Sequence, residues 1–275
     1  MSYASLMVHV DADSELSGRV NIAADLAERF RAHLIGVAGW APMSVFLANE
    51  ALVDMTPNVP ELQSMKSLLD LKGKQFCAAV AKEGCRQAEW RSALDFPTEA
   101  LAREARAADL VIIGNERENR DPFRALDPGS FLLKAGRSVL VVPTSVTSLS
   151  PKRIAIAWKD VREARRAVQD ALPFLLQADS VMIVEVAQTN EANQASHHLE
   201  DVTTYLTRHR INAVAQRIRP AEVAVTESLL QLIHDENINL IVGGAYGHSR
   251  LGEWVFGGVT RELLVESPIC CLFSH

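Results

Sequence analysis

The sequence lacks several features that mark whole classes of protein. It has only 4 cysteines in 275 residues, 6% aromatic residues, and no apolar run that approaches a membrane span of roughly 18 residues. So few cysteines do not form a disulfide framework. The formal net charge of −6 offers no basic face to nucleic acid. We therefore predict buried, reduced thiols and neither a nucleic-acid partner nor a membrane span. Because no basic segment precedes an apolar run at the N-terminus, we also expect a cytoplasmic location.

The chain instead contains two halves with the same pattern. Pro97–Gly114 (PTEALAREARAADLVIIG) and Val225–Gly244 (VTESLLQLIHDENINLIVGG) each carry Thr-Glu, a helical apolar pattern, a polar break and an apolar run that ends in glycine. Between the halves, Thr144–Pro151 (TSVTSLSP) has the composition of a loop or linker. We predict one domain over residues 1–146 and a second over residues 151–275.

Within each half, Val- and Ile-rich runs alternate with helical patterns, which favours parallel sheets covered by helices on both faces. The predicted strands of the first half are Leu6–Val10, His33–Ala38, Ala88–Ala93, Leu110–Ile113 and Val139–Val142. Those of the second half are Ile154–Trp158, Val181–Val186, Ala213–Ile218, Leu240–Val242 and Ile269–Phe273. The fold class is thus α/β, with an open doubly wound unit in each half. An extra stretch, Trp40–Pro60, contains prolines at positions 42, 57 and 60. It is either a loop or short helix that packs over a sheet edge or a segment that closes over a pocket.

A glycine-rich loop follows the fourth predicted strand of the second half. Its spacing is Gly244-x2-Gly247-x9-Gly257, and Gly258 comes next, directly before a helix-like segment. Glycines leave backbone N–H groups open to a phosphate, and the N-terminus of a helix attracts anions. In open α/β sheets, ligands bind at the carboxyl ends of the strands. The sequence therefore predicts an anion site in this loop.

This spacing resembles the nucleotide loop of the universal stress protein family, G-x2-G-x9-G-[ST], and each half resembles one domain of that family. The resemblance implies two doubly wound five-stranded parallel sheets of order 3-2-1-4-5, with an adenine nucleotide α-hydrolase-like fold. It implies that the fifth strands of the two halves pair, so that the chain is a pseudo-dimer. Some members bind ATP, so ATP with Mg is the cofactor that the resemblance implies here. Further homodimerisation is left open.

The resemblance also transfers contacts to individual positions. The phosphate and ribose contacts fall on Gly244, Gly247, Gly257, Gly258, Val259 and Thr260, and the contact after the second strand falls near Val186. Two positions depart from the family pattern. Gly258 stands where the family has Ser or Thr, and Lys159 stands where it has Asp after the first strand. Three interpretations of Lys159 stay open: it contacts a phosphate, the adjacent Asp160 takes the place of the family's Asp, or it is a solvated loop end.

The first half departs from the pattern in a complementary way. It keeps Asp11 after its first strand, which the resemblance makes a nucleoside contact, but Arg117 replaces the second glycine of its loop. Four acids crowd that loop, and carboxylates repel a triphosphate unless a metal intervenes; they are Glu116, Glu118, Asp121 and Asp127. We therefore predict nucleotide binding in the second half only.

No nucleophile–base pair is evident, so we predict a non-enzymatic stress-response protein that acts by binding a nucleotide or a protein. One alternative is a slow ATP hydrolase with Asp160 as its base. Another is an interaction module in which both nucleotide sites are vestigial. His197-His198, followed by Glu200-Asp201, invites a metal site, but no second ligand group stands at the spacing of a tetrahedral site. We favour a solvated helix face for these residues and predict no metal ligands.

Overall fold

The computed structural model describes residues 2–12, 16, 18–42, 59–115, 121–186, 194–218, 225–246 and 258–275, with the backbone alone at 186 and 194–196. Contacts divide the chain into two units. The N-terminal unit is Tyr3–Arg137, and the C-terminal unit is Ser138–His275 together with the first two residues.

The N-terminal unit is a parallel sheet with helices between its strands. Its elements are β1 Ser5–His9, α1 Gly18–Phe30, β2 His33–Gly39, α2 Val59–Lys82, β3 Ala88–Ala93, α3 Pro97–Glu104, a 3-10 turn Ala105–Ala107, β4 Leu110–Gly114 and α4 Pro128–Lys134. The strand order is β3-β2-β1-β4, and each pair is parallel. The central strands are buried along their length because helices cover both faces, as the apolar runs predict.

The C-terminal unit repeats this pattern and has two more strands. Its elements are β5 Ser138–Val142, β6 Arg153–Ala157, α5 Arg162–Asp170, α6 Leu172–Leu175, β7 Ser180–Val186, α7 Gln194–Arg208, β8 Ala213–Ile218, α8 Val225–Asp235, β9 Leu240–Gly244, α9 Gly258–Glu266 and β10 Cys270–Ser274. Five strands run parallel in the order β10-β9-β6-β7-β8. The sixth strand, β5, is antiparallel to β10, with Leu140 opposite Leu272.

The prediction of an α/β fold with a largely parallel sheet is confirmed. The sequence analysis missed α2, which begins inside the stretch Trp40–Pro60; residues 43–58 of that stretch lie outside the described part of the chain. The helix was detectable, because Met65, Leu69, Phe76 and Val80 recur at intervals of four or seven and lie on its buried face.

Burial of the cysteines is correctly predicted at three of four positions. Cys85, Cys270 and Cys271 are buried, and desolvation raises the pKa of Cys270 and of Cys271 to about 12. The prediction is wrong for Cys77, which is exposed on α2 because its neighbour Phe76 takes the inward position. Among the helices described, none is long and apolar enough to cross a membrane.

Candidate nucleotide site

The C-terminal unit has a topological switch point between β6 and β9. From β6 the chain passes to β7 on one side, and from β9 it passes to β10 on the other. The two strands lie side by side, with Ala157 opposite Gly243. Connections that leave adjacent strands in opposite directions open a crevice at the carboxyl ends, where doubly wound proteins bind ligands. The segments after β6 and β9 are therefore the candidate site.

Gly244 allows a helix to pack directly on the end of β9. A Cβ atom at this position would lie 2.6 Å from the backbone nitrogen of Ala164 and 2.7 Å from the carbonyl carbon of Glu163, both in α5. No side chain fits in that space. The first glycine of the loop is thus required by the packing of α5, whether or not a ligand binds.

The beginning of the glycine loop is held by the C-terminal end of the chain. The N–H of Ala245 donates to the carbonyl of Ser274 at 2.8 Å, and the carbonyl oxygen of Ala245 lies 3.0 Å from Nδ1 of His275. Tyr246 follows with a left-handed φ of 55° and an edge-on contact with the ring of His275, at 6.4 Å between centroids. Gly247 and Gly257, two of the predicted phosphate contacts, lie outside the described residues.

The segment after β6 places one cation at the switch point. Trp158 is buried, and its backbone N–H donates to the carbonyl of Val184 at 2.8 Å. The next two side chains, Lys159 and Asp160, are exposed, and Asp160 lies 3.5 Å from Arg165. The carbonyl of Lys159 accepts the N–H of Val161 at 2.7 Å, so the chain turns tightly into α5.

The sequence analysis missed a buried acid beside this turn. Glu163, in the first turn of α5, is 2% exposed and accepts a hydrogen bond from Nε of Arg162 at 2.5 Å. The pairing keeps a charge tolerable at a buried position. The only signal in the sequence is an acid directly after Arg162, which is indistinguishable from an ordinary solvated charge.

The helix after the glycine loop begins at Gly258, which is exposed. Among the described residues, and apart from the backbone of its own helix, the nearest atom to a Cβ built at Gly258 is the carboxylate oxygen Oε1 of Glu262, at 3.9 Å. A Ser side chain, as in the family pattern, would therefore fit. Of the other predicted contacts in this helix, Thr260 is buried and Val259 is half-buried.

Val186, the predicted nucleoside contact, ends β7 in register with Ile218 of β8. Its neighbour Glu185 lies in a polar network that sequence reasoning did not foresee. Glu185 accepts from Arg217 at 3.0 Å and lies 3.3 Å from Nε2 of His198, whose Nδ1 accepts the indole N–H of Trp158 at 3.1 Å. The prediction of a solvated face is therefore wrong for His198, because the helix turns this side chain toward the sheet.

The corresponding position in the N-terminal unit is occupied by the protein's own charges. Asp11, the acid predicted to contact a nucleoside, is 6% exposed, and its carboxylate pairs with the guanidinium of Arg19 at the start of α1. Nε of Arg19 donates to the carbonyl of His9 at 2.9 Å, and Nδ1 of His9 lies 3.9 Å from the carboxylate. Asp11 thus has a built-in cationic partner.

A second acid fills the N-terminus of α4, where the resemblance would place phosphate. Oδ1 of Asp127 accepts the N–H of Gly129 at 3.1 Å, and Oδ2 accepts the hydroxyl of Ser130 at 2.5 Å. The N–H of Asp127 donates to Oγ1 of Thr98 at 3.1 Å. This carboxylate satisfies the donors and the dipole of the helix end that a bound anion would otherwise satisfy.

The described residues contain no cluster of three or more His, Cys, Asp or Glu side chains that would hold a metal ion. The strand order and the switch point define a doubly wound α/β protein. No family model matches the sequence, and no curated protein matches it either.

Solved structures do match, over both halves of the chain. A universal stress protein from Archaeoglobus fulgidus DSM 4304 covers 98% of this chain, and 95% of its own, with a TM-score of 0.68 at 13% identity. A putative universal stress protein from Pseudomonas aeruginosa UCBPP-PA14 covers 99% and 93%, with a TM-score of 0.60 at 15% identity. A functionally unknown protein from Pseudomonas aeruginosa PAO1 covers 99% and 92%, with a TM-score of 0.59 at 13% identity. The resemblance inferred from the glycine spacing is therefore confirmed at the level of the fold.

Proposed function

We propose that this chain is a cytoplasmic stress-response protein that acts by binding, and that its C-terminal unit binds an adenine nucleotide, ATP with Mg. One contrast carries the proposal. After β1 in the N-terminal unit, Asp11 is buried and paired with Arg19, whereas after β6 in the C-terminal unit Lys159 is exposed. No described residue forms an ion pair with Lys159. An exposed ammonium beside a glycine-lined strand end matches a phosphate group.

The proposal extends to the assembly of the two halves. We infer a pseudo-dimer of two five-stranded sheets that is joined through the fifth strands. The antiparallel register of β5 with β10 supports this inference, since Val139 pairs with Phe273 and Val141 with Cys271. A further homodimer stays a prediction, to be tested by the mass of the protein in solution.

Titration calorimetry with ATP, with and without Mg²⁺, tests nucleotide binding. Lys159→Ala removes one charge-assisted contact, worth about 1.5–3 kcal/mol, and should weaken binding by tenfold or more. Lys152→Ala is the matched control. Lys152 is also an exposed lysine, but it precedes β6, at the opposite end of the strand, and pairs with Asp179 at 3.5 Å. No binding heat with the wild type refutes the nucleotide proposal, and equal losses in both variants refute the role of Lys159; either result leaves the fold untouched.

We also propose that the protein does not turn over its ligand. Asp160, the acid that the sequence analysis named for a hydrolase, is exposed and lies 3.5 Å from Arg165. Phosphate release above background that disappears in Asp160→Asn would identify a hydrolase instead.

A further inference from the structure

The strands and helix beside the candidate site share one chain of polar contacts, which we call the Trp158 network. It consists of Trp158 after β6, His198 on α7, Glu185 on β7 and Arg217 on β8. The first three side chains are 7%, 22% and 12% exposed, so water competes weakly for their bonds. Trp158 directly precedes Lys159, the cation of the proposed site, and the network therefore reaches that site.

The contacts fix the protonation state of His198. An indole N–H is a donor only, so Nδ1 of His198 must offer its lone pair to Trp158 across their 3.1 Å contact. The ring proton then lies on Nε2 and points to Glu185, 3.3 Å away. This is the neutral imidazole with a proton on Nε2 alone.

A second proton would convert Nδ1 from an acceptor into a donor, facing another donor. The bond to Trp158 would break, and its indole N–H would be left without an acceptor in a side chain that is 7% exposed. The same proton would strengthen the pairing of His198 with Glu185. Histidine is the side chain whose unperturbed charge change falls between about pH 5 and pH 8, which sets the pH range to be tested.

The charges around His198 bear on that exchange. Glu185 faces it from β7, and Arg217 on β8 pairs with the same carboxylate. From β6, Trp158 is neutral and is followed by exposed Lys159 and Asp160. On α7 itself, His197, Glu200 and Asp201 are all exposed, so solvent screens them.

We propose that protonation of His198 releases the Trp158 indole, and that the nucleotide site of the C-terminal unit is thereby weakened at acid pH; the second part rests on the proposed function. Among the described residues, the bond from the indole N–H to His198 is the only side-chain hydrogen bond of Trp158. The backbone of Trp158 continues directly into the turn at Lys159. Release of the indole removes the side-chain anchor of the turn that positions the lysine ammonium, while the backbone bonds to Val184 and Val161 remain.

The experiment follows the indole N–H of Trp158 by ¹H–¹⁵N correlation spectra of the nucleotide-free protein from pH 8 to pH 5. The chain has 4 tryptophans, and Trp158→Phe assigns the signal. We expect the Trp158 signal to move along a single titration curve. His198→Asn is the matched variant, because its side-chain oxygen lies near the position of Nδ1 and still accepts from the indole but does not titrate. If that variant does not fold, His198→Gln, which also cannot titrate, replaces it.

Calorimetry with ATP at the same two pH values gives the second readout. The ratio of Kd at pH 5 to Kd at pH 8 should be about fivefold larger for the wild type than for His198→Asn, the cost of one neutral hydrogen bond. Protonation of the terminal phosphate of ATP affects the measurements on both proteins equally, so it cancels when their Kd ratios are compared.

The two readouts separate the ways in which the proposal fails. An indole signal that does not move, or that moves equally in His198→Asn, overturns the switch. A moving signal with equal Kd ratios overturns its link to the ligand. If ATP binds at no pH, the proposed function is wrong, and the indole titration still decides whether His198 releases Trp158.

Discussion

The sharpest stability test compares two adjacent glycines at the end of β9. At Gly244 an added Cβ would approach the backbone nitrogen of Ala164 to 2.6 Å and the carbonyl carbon of Glu163 to 2.7 Å. At Gly243 the nearest atom is the Cβ of Ala157, at 3.7 Å, which is an ordinary contact. The same substitution, Gly to Ala, therefore places a methyl group against helix backbone at Gly244 but at an ordinary contact distance at Gly243.

The expected magnitude follows from what must move. Helix backbone cannot yield as a flexible side chain does, and inserting a methyl group into a well-packed region costs about 1–3 kcal/mol. Gly→Ala at a compatible position gains about 0.4–1 kcal/mol because it restricts the unfolded chain. We therefore expect Gly244→Ala to lower the free energy of unfolding by about 1–3 kcal/mol, and Gly243→Ala to leave it unchanged or slightly raised.

Urea unfolding without nucleotide, followed by circular dichroism, measures both variants. A lower midpoint for Gly244→Ala alone confirms that this glycine serves the packing of α5. The reasoning is refuted if Gly244→Ala is as stable as the wild type, or if Gly243→Ala is destabilised to the same extent. Because the measurement involves no ligand, it separates this packing role from any role of the glycine in binding.

Three further predictions concern other positions. Gly258→Ser fits beside a nearest neighbour at 3.9 Å and supplies the hydroxyl of the family pattern, so calorimetry should show roughly fivefold tighter ATP binding; unchanged affinity would contradict this. Asp127→Ala removes the cap of α4 and should cost about 1 kcal/mol in thermal unfolding, whereas Asp127→Asn should cost less. In the folded protein, Cys77 should react with a thiol reagent while Cys270 and Cys271 should not. Since burial raises the pKa of both from 9.0 to about 12, stability should fall as pH rises above 9, measured by unfolding midpoints.

The regular elements were predictable because periodicity and burial act locally. Ala88–Ala93 and Ala213–Ile218 form strands with the predicted ends, and Leu110–Gly114 differs from its prediction by one residue. Each run is bounded by polar or turn residues that break the pattern. The helix Val59–Lys82 was not predicted for a different reason. Three prolines, at positions 42, 57 and 60, are typical of a loop, and the helical spacing of apolar residues begins only after them.

The candidate site was predictable only in its backbone. Glycine spacing identified Gly244, but the reason for it, the approach of Ala164, depends on how α5 packs against β9. Side-chain pairing across elements leaves no local pattern in the sequence. Trp158 and His198 are separated by 40 positions, and Asp11 and Arg19 lie in different elements. Each pair becomes visible only when the sheet brings its elements together.

The helices that follow β4 and β9 differ in the residues available to satisfy their N-terminal N–H groups. A helix that begins at the carboxyl edge of a parallel sheet presents unpaired N–H groups and a positive dipole end. In the N-terminal unit, Asp127 satisfies that end from within the chain, two residues before Gly129. In the second half the residue two before Gly257 is Val255, which has no oxygen in its side chain. Water, the carboxylate of Glu262 close to Gly258, and a bound anion are candidates to meet the demand there. An anion that displaces water from donors already in place requires little rearrangement of the protein. The presence of Asp127 in one half and Val255 at the matching position of the other is the physical reason to test for nucleotide in the C-terminal unit alone.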